Sequence, residues 1–344
     1  MIADDIILTP EDEKAIEKLS AFLPEKIFDM HMHIGTEEAC PSYINPDMGA
    51  WYSGGKELTF DQYLKDEGRF FPKAKKIRAN MIATPDREQR DPANGRRDKL
   101  TQFIARELDK HPECVAEVVV LAKDTKEDIE RQLIHPGIRG LKCYHLNADK
   151  DTDTFLCNTW EFLPESAWQV ASERNLCITL HMVRPLALAD PDNISYIREM
   201  SAKYPKARLI LAHAARGFAP WTVEENIQKL VDCKNVYFDL SAVCEPDAMY
   251  TIIKACGHKR VFWGSDYAVS TTRGKCVSVG SAFLWLYKEQ LDSCASKTEF
   301  NAYLIGIEGL IAIERASRYL GLTKEQVEDI FYNNAMEFFG LKDE

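Results

Sequence analysis

Two histidines one residue apart, in Asp29-Met30-His31-Met32-His33, are the first residues in this chain whose type and spacing could do chemistry. Ile27-Phe28 leads into them and Ile34-Gly35 follows, which reads as a strand. Side chains alternate along a strand, so Asp29, His31 and His33 are expected on one face, with two imidazoles side by side. Imidazole suits zinc, copper, iron and nickel, and a catalytic zinc keeps about three protein ligands and an open position for water. Two histidines sharing a strand face by coincidence would look the same, so the pair needs partners elsewhere in the chain.

The elements that would supply them recur with a rhythm. After the first strand, short apolar or β-branched runs cover residues 77–83, 115–121, 138–144, 176–182, 207–213, 236–241 and 261–266. Segments with helical periodicity lie between them, at 97–110, 126–133, 164–175, 194–204, 223–233 and 246–256. Buried parallel strands read as near-continuous apolar runs, and eight strands alternating with helices predict a closed (β/α)8 TIM barrel over about residues 26–270. An open dinucleotide-binding sheet would need a glycine-rich turn after its first strand; the chain has His33-Ile34-Gly35-Thr36-Glu37 there.

Extra helices are expected at both ends. Residues 11–22 are opened by Thr9-Pro10-Glu11, and about 280–344 reads as helical, with a last helix over 323–338 and a stop at Gly340. The apolar stretch 280–287 is expected to be a core helix or part of a subunit contact. The long connection 35–75 carries Trp51 and Tyr52, which would either cover a pocket or anchor the loop. With 344 residues, 45% of them hydrophobic, and no linker or low-complexity stretch, a single domain over 1–344 is the economical reading.

In a barrel of this kind chemistry is done at the C-terminal ends of the strands. His31 and His33 end the first, Lys142-Cys143-Tyr144-His145 the fourth, His181 the fifth, His213 the sixth and Ser265-Asp266 the eighth. The other three of the eight histidines, His111, His135 and His258, fall in helix-to-strand connections at the opposite end. A coincidental distribution would populate both ends.

The formal charge of −11, with no basic run longer than Lys73-Ala74-Lys75-Lys76, argues against nucleic acid or an anionic membrane as partner and for a small substrate. No run approaches the roughly twenty apolar residues of a membrane helix, and the first 26 residues read as acidic and helical, unlike a signal peptide. The ten cysteines are scattered without a C-x-x-C pair. A cytoplasmic location is the expectation.

The pattern Asp29-x-His31-x-His33, His181, His213 and Gly264-Ser265-Asp266-Tyr267 resembles the amidohydrolase superfamily. It is most similar to the amidohydrolase-related branch (amidohydrolase 2) that includes aminocarboxymuconate semialdehyde decarboxylase and aromatic-acid decarboxylases. The similarity runs nearly the whole chain, to Asn333-Asn334-Ala335-Met336-Glu337-Phe338-Phe339-Gly340. It implies that His31, His33, His181 and Asp266 bind one divalent metal, zinc first, with His213 close by. Asp266 would then act as base and acid on water activated by the metal, and His213 would polarise the scissile group or stabilise developing charge. Asp29, a layer below on the same face, would support the site from beneath.

Lys142 has three readings: a carboxylated lysine bridging two metals, as in some superfamily members, a substrate contact, or a structural ion pair. Tyr144 and His145 share the substrate-contact reading. Arg184, Arg216 and Arg273 follow His181, His213 and Asp266 at short intervals. Guanidinium groups there would suit a substrate carboxylate, unless local acids pair with them. The function expected first is metal-dependent hydrolysis of a small, carboxylate-bearing lactone, ester or amide; the alternative is a nonoxidative decarboxylase or hydratase using the same metal, and a non-catalytic barrel is a third class. A homodimer is expected by analogy with similar proteins.

Overall fold

The computed structural model describes residues 6–41, 57–151, 153–288, 290–291 and 301–343. Trp51 and Tyr52 lie outside them. Eight parallel strands run in chain order around one sheet: β1 (Lys26–Thr36), β3 (Lys76–Ala83), β4 (Val115–Val119), β5 (Ile138–Cys143), β6 (Cys177–Leu180), β7 (Arg208–Leu211), β8 (Val236–Asp239) and β9 (Val261–Phe262). The short strand β2 (Glu57–Leu58) adds to the end of β1 in antiparallel sense. The sheet closes through the extended chain after β9: Met30 N donates to Trp263 O (3.0 Å), Asp266 N to His31 O (2.8 Å) and His33 N to Tyr267 O (3.1 Å). The barrel inferred from the apolar runs is therefore present. Its strands are buried, β4 and β6 throughout, because helices cover the sheet outside and side chains fill it inside.

β1 departs from simple alternation. Its pairing with β3 shifts between Asp29 and Met32, a bulge that puts one extra residue in β1. Phe28 and Met30 join a cluster with Val115, Cys177, Ile210 and Phe262 from strands around the barrel, and the imidazoles of His31 and His33 meet at the other end. The final helical segment plugs the lower mouth. Phe339 stacks on Phe28 (ring centroids 5.9 Å) and Phe338 meets Phe262 edge-on (5.1 Å). This segment is helical over Lys324–Glu328, widens to a π turn over Asp329–Asn333 and resumes over Asn334–Phe339, ending at Gly340 with φ 65°.

The N-terminal helix Pro10–Leu19 is opened by a capping box between Thr9 and Asp12. The helix expected over 223–233 breaks into two short turns, Trp221–Glu224 and Ile227–Leu230. The larger correction concerns residues 280–287. They form no helix but one arm of a hairpin, β10 (Gly274–Val279) against β11 (Ala282–Tyr287). Gly280 takes φ 60° in the turn, and Phe283, Trp285 and Tyr287 alternate with Ala282, Leu284 and Leu286 along β11, a two-residue period suited to a strand covered on one face.

Candidate metal centre

Three of the expected ligands converge. His31 Nε2 lies 3.2 Å from His33 Nε2 and 3.6 Å from Asp266 Oδ1, and His33 Nε2 lies 3.4 Å from that same oxygen. Zinc with bonds of 2.0–2.1 Å to tetrahedral ligands needs edges of about 3.3–3.4 Å, so this donor triangle has the right size and the right N,N,O chemistry for such an ion. A second group, His31, His213 and Asp239, is also close together. There the carboxylate is already engaged: Asp239 Oδ2 faces His31 Nδ1 (3.0 Å), and Oδ1 accepts from His213 N (3.2 Å), Ser241 N (3.0 Å) and the Ser241 hydroxyl. Asp239 is thus placed to orient ligands, which leaves the His31–His33–Asp266 triangle as the candidate cation site.

The fourth expected ligand, His181, is placed differently. Its Nδ1 lies 3.0 Å from His213 Nε2, and His213 in turn reaches Ser241 through Nδ1, 2.9 Å from Oγ and 3.2 Å from the carbonyl. His213 begins a turn in which His213, Ala214, Ala215 and Arg216 all adopt φ of 51–57°. The left-handed region costs an L-residue roughly 1–2 kcal/mol. Asp266 (φ 62°) and Arg184 (φ 73°) share that conformation, so backbone strain concentrates around the site.

Burial and neighbours set the protonation states. Desolvation lowers the pKa of His31, His33 and His181, and brings His213 to about 4. Burial alone would raise the Asp266 carboxyl, but His213, His33 and His31 outweigh it and hold it below the usual carboxylate range. Neutral imidazoles and an ionised carboxylate are the forms that bind metals.

Lys142 is fully buried with Nζ 3.0 Å from His31 Nε2, and desolvation lowers its pKa. Among the described residues no carboxylate pairs with it, so its structural ion-pair reading lacks a partner. Tyr144 packs on His145 (4.6 Å) and His181 (4.4 Å). His145 is buried, its Nδ1 2.7 Å from Thr154 Oγ1 and its Nε2 without a partner among the described residues.

The arginines separate. Arg184 is held by Asp190 (3.1 Å) and Asp192 (2.9 Å), and Arg273 is bound to Asp12 (2.8 Å) at the N-terminal helix, so local and structural acids account for both. Arg216 has no carboxylate partner among the described residues. Its Nη1 donates to Arg184 O (2.7 Å), and its guanidinium lies between Phe283 (5.3 Å) and Phe155 (5.9 Å). The β10–β11 hairpin reaches the site through this contact and through Phe218, which stacks on His213 (5.6 Å) and meets Phe283 and Trp285.

Asp29 supports the site through the backbone, its Oδ1 accepting from His31 N (2.9 Å) and Ser265 N (3.0 Å). Because of the bulge it does so without the strict alternation expected from the sequence. Asp239 and Ser241 are the residues that strand-end reading passed over. They end the seventh barrel strand two residues apart, the same spacing that drew attention to His31 and His33. Gly264 matters by its size, since a Cβ there would lie 2.8 Å from His31 Cβ.

A barrel with convergent histidine and carboxylate donors at its strand ends defines a candidate metal site of the kind on which metal-dependent enzymes are built. The amidohydrolase family model matches residues 28–341, and the chain belongs to that family, whose members depend on a metal. No curated protein sequence matches it. Among solved structures, an amidohydrolase from Burkholderia multivorans with bound zinc is similar at TM-score 0.57 and 14% identity, covering 92% of this chain and 99% of that one. A candidate 2-pyrone-4,6-dicarboxylic acid hydrolase from Pseudomonas putida gives 0.52 and 14%, covering 94% and 100%. The 5-carboxyvanillate decarboxylase of Sphingomonas paucimobilis gives 0.55 and 10%, covering 93% and 100%. Among the described residues no helix is long and apolar enough to cross a membrane.

Proposed function

We propose that this chain is a metal-dependent hydrolase of a small carboxylate-bearing lactone, ester or amide. The observation that carries the reading is the pairing of a zinc-sized His31–His33–Asp266 triangle with an arginine, Arg216, that no described carboxylate neutralises. A divalent cation, zinc first, held by these three residues with His181 as a further ligand, would polarise a carbonyl and lower the pKa of a water to about 7. Asp266 presents Oδ1 to the two histidines and turns Oδ2 toward His213 (3.9 Å), so one oxygen remains to accept a proton and return it to the leaving group. His213 Nε2 faces His181 Nδ1 (3.0 Å) and so positions that ligand, and Arg216 orients the substrate by its carboxylate. Tyr144, beside His181, with His145 and Lys142, would supply further substrate contacts in this reading.

Likeness to the 5-carboxyvanillate decarboxylase supports a second reading, a nonoxidative decarboxylase in which Asp266 and His213 manage protonation at carbon. A panel of lactones, esters, amides and aromatic or unsaturated carboxylic acids, assayed for acid or amine release against carbon dioxide release, separates the two. Carbon dioxide without hydrolysis of any panel member would overturn the hydrolase reading.

A further inference from the structure

Hydrogen-bond chemistry around Asp239 leaves little freedom in where the histidine protons sit. A carboxylate accepts and does not donate, so His31 Nδ1, 3.0 Å from Asp239 Oδ2, must carry its proton there. Lys142 gives the same answer from the other side of the ring: an ammonium only donates, and its Nζ faces His31 Nε2 at 3.0 Å. On the other carboxylate oxygen, the Ser241 hydroxyl gives its hydrogen to Asp239 Oδ1 and is left as an acceptor. His213 Nδ1 faces that hydroxyl oxygen (2.9 Å) and the Ser241 carbonyl (3.2 Å), and a carbonyl cannot donate, so this nitrogen too is N–H. His213 Nε2 is then a lone pair. His181 Nδ1, 3.0 Å from it, must be the donor, and His181 Nε2 is left bare.

We propose that Asp239 and Ser241 are positioning residues that lock His31, His213 and His181 in the Nδ1–H tautomer, so that His31 and His181 carry their lone pairs on Nε2, where on His31 a metal ion would take the place of the Lys142 donor. The proposal rests on the metal-dependent reading above. His33 falls outside the lock, since its buried Nδ1 has no partner among the described residues. The fold builds the device from adjacent strand ends: Asp239 also accepts the backbone N–H groups of His213 (3.2 Å) and Ser241 (3.0 Å), fixing the carboxylate against both neighbours. A ligating histidine held this way is oriented and made more basic toward the metal.

The test reads tautomers directly, by long-range proton–nitrogen correlation of the histidine rings in the metal-stripped full chain. His31, His181 and His213 are expected to be protonated at Nδ1. In Ser241→Ala the backbone carbonyl of residue 241 still accepts from His213 Nδ1, so His213, His181 and His31 should all keep the Nδ1–H form. In Asp239→Asn, the two backbone donors hold the amide oxygen in place and turn its NH2 toward His31 Nδ1, so that nitrogen loses its acceptor and the Nδ1–H form of His31 is no longer fixed. Zinc affinity, measured by competition with a chromogenic chelator, should fall about 10–100-fold. An Nε2–H tautomer at any of the three rings in the unmutated chain, a reading that needs no variant to fold, would overturn the lock. So would unchanged zinc affinity in Asp239→Asn. A wild-type chain with the expected tautomers that binds no zinc would instead defeat the metal reading, and with it the purpose of the lock.

Discussion

Zinc loading should stabilise the folded chain, and by an amount that depends on three atoms. A ligand that binds the folded state alone stabilises it by about 2.7 kcal/mol when its free concentration is one hundred times Kd. Unfolding entropy near 2.1 cal/mol/K per residue gives roughly 0.7 kcal/mol/K for a chain of this length, so the melting temperature should rise by about 4 °C. The donor triangle says which variants lose the gain. His33→Ala and Asp266→Ala each remove one corner of the 3.2, 3.4 and 3.6 Å figure, leaving two donors of the triangle. His135→Ala, on the loop before β5 at the opposite end of the barrel, should keep it. Thermal melts of each protein with chelator and with buffered zinc read the increment within one variant, so differences in intrinsic stability drop out. If His33→Ala and Asp266→Ala still gain about 4 °C, zinc is binding elsewhere and the triangle is not the site.

Gly264→Ala would put a methyl group 2.8 Å from His31 Cβ and 3.1 Å from His31 N, so the ligand must move. Zinc affinity should fall with a loss of about 1–3 kcal/mol in stability, and wild-type affinity would contradict the packing account. Arg216→Met keeps an apolar stem between Phe283 and Phe155 while removing the charge. A charge-assisted hydrogen bond of about 1.5–3 kcal/mol predicts a 10- to 150-fold drop in kcat/KM for a carboxylate substrate but not for its uncharged ester analogue, and equal losses would refute the assignment. Glu67 is fully buried with neither oxygen partnered among the described residues, and burial raises its pKa well above the usual value. The folded state therefore holds a proton that the unfolded chain releases above about pH 4.5, and each pH unit beyond that costs about 1.4 kcal/mol until the folded group also ionises. Glu67→Gln should melt higher than the parent by a margin that widens from pH 5 to pH 8; a margin independent of pH would disprove the linkage.

The barrel was legible because parallel strands covered on both faces are mostly apolar, a signal that survives in β4 and β6 despite the buried Glu117 and Thr179 and without any knowledge of the site. His31, His33 and Asp266 were legible because strand ends concentrate chemistry. What escaped depended on backbone geometry. The bulge in β1 changes the face relation of Asp29 to the histidines, and four left-handed residues from His213 to Arg216 turn His213 toward His181. Local propensity announces neither. Arg184 had Asp190 and Asp192 close by in sequence, whereas the partner of Arg273, Asp12, sits on the first helix and becomes a neighbour only on folding. The hairpin was missed because an apolar run with aromatic residues suits either element, and the glycine at its turn was the deciding residue.

The plug at the lower mouth of the barrel has a consequence for synthesis on the ribosome. Phe28 and Met30 belong to β1, while Phe338 and Phe339, which cover their cluster, are made only after all eight barrel strands. Trp263 N also waits for Ile330 O (2.9 Å). A nascent chain halted before residue 330 would carry all eight barrel strands with their lower layer open to water, a state that invites chaperone binding and aggregation. Closure of this mouth therefore waits for the segment after residue 324, and its long loop makes it slow compared with pairing of successive strands.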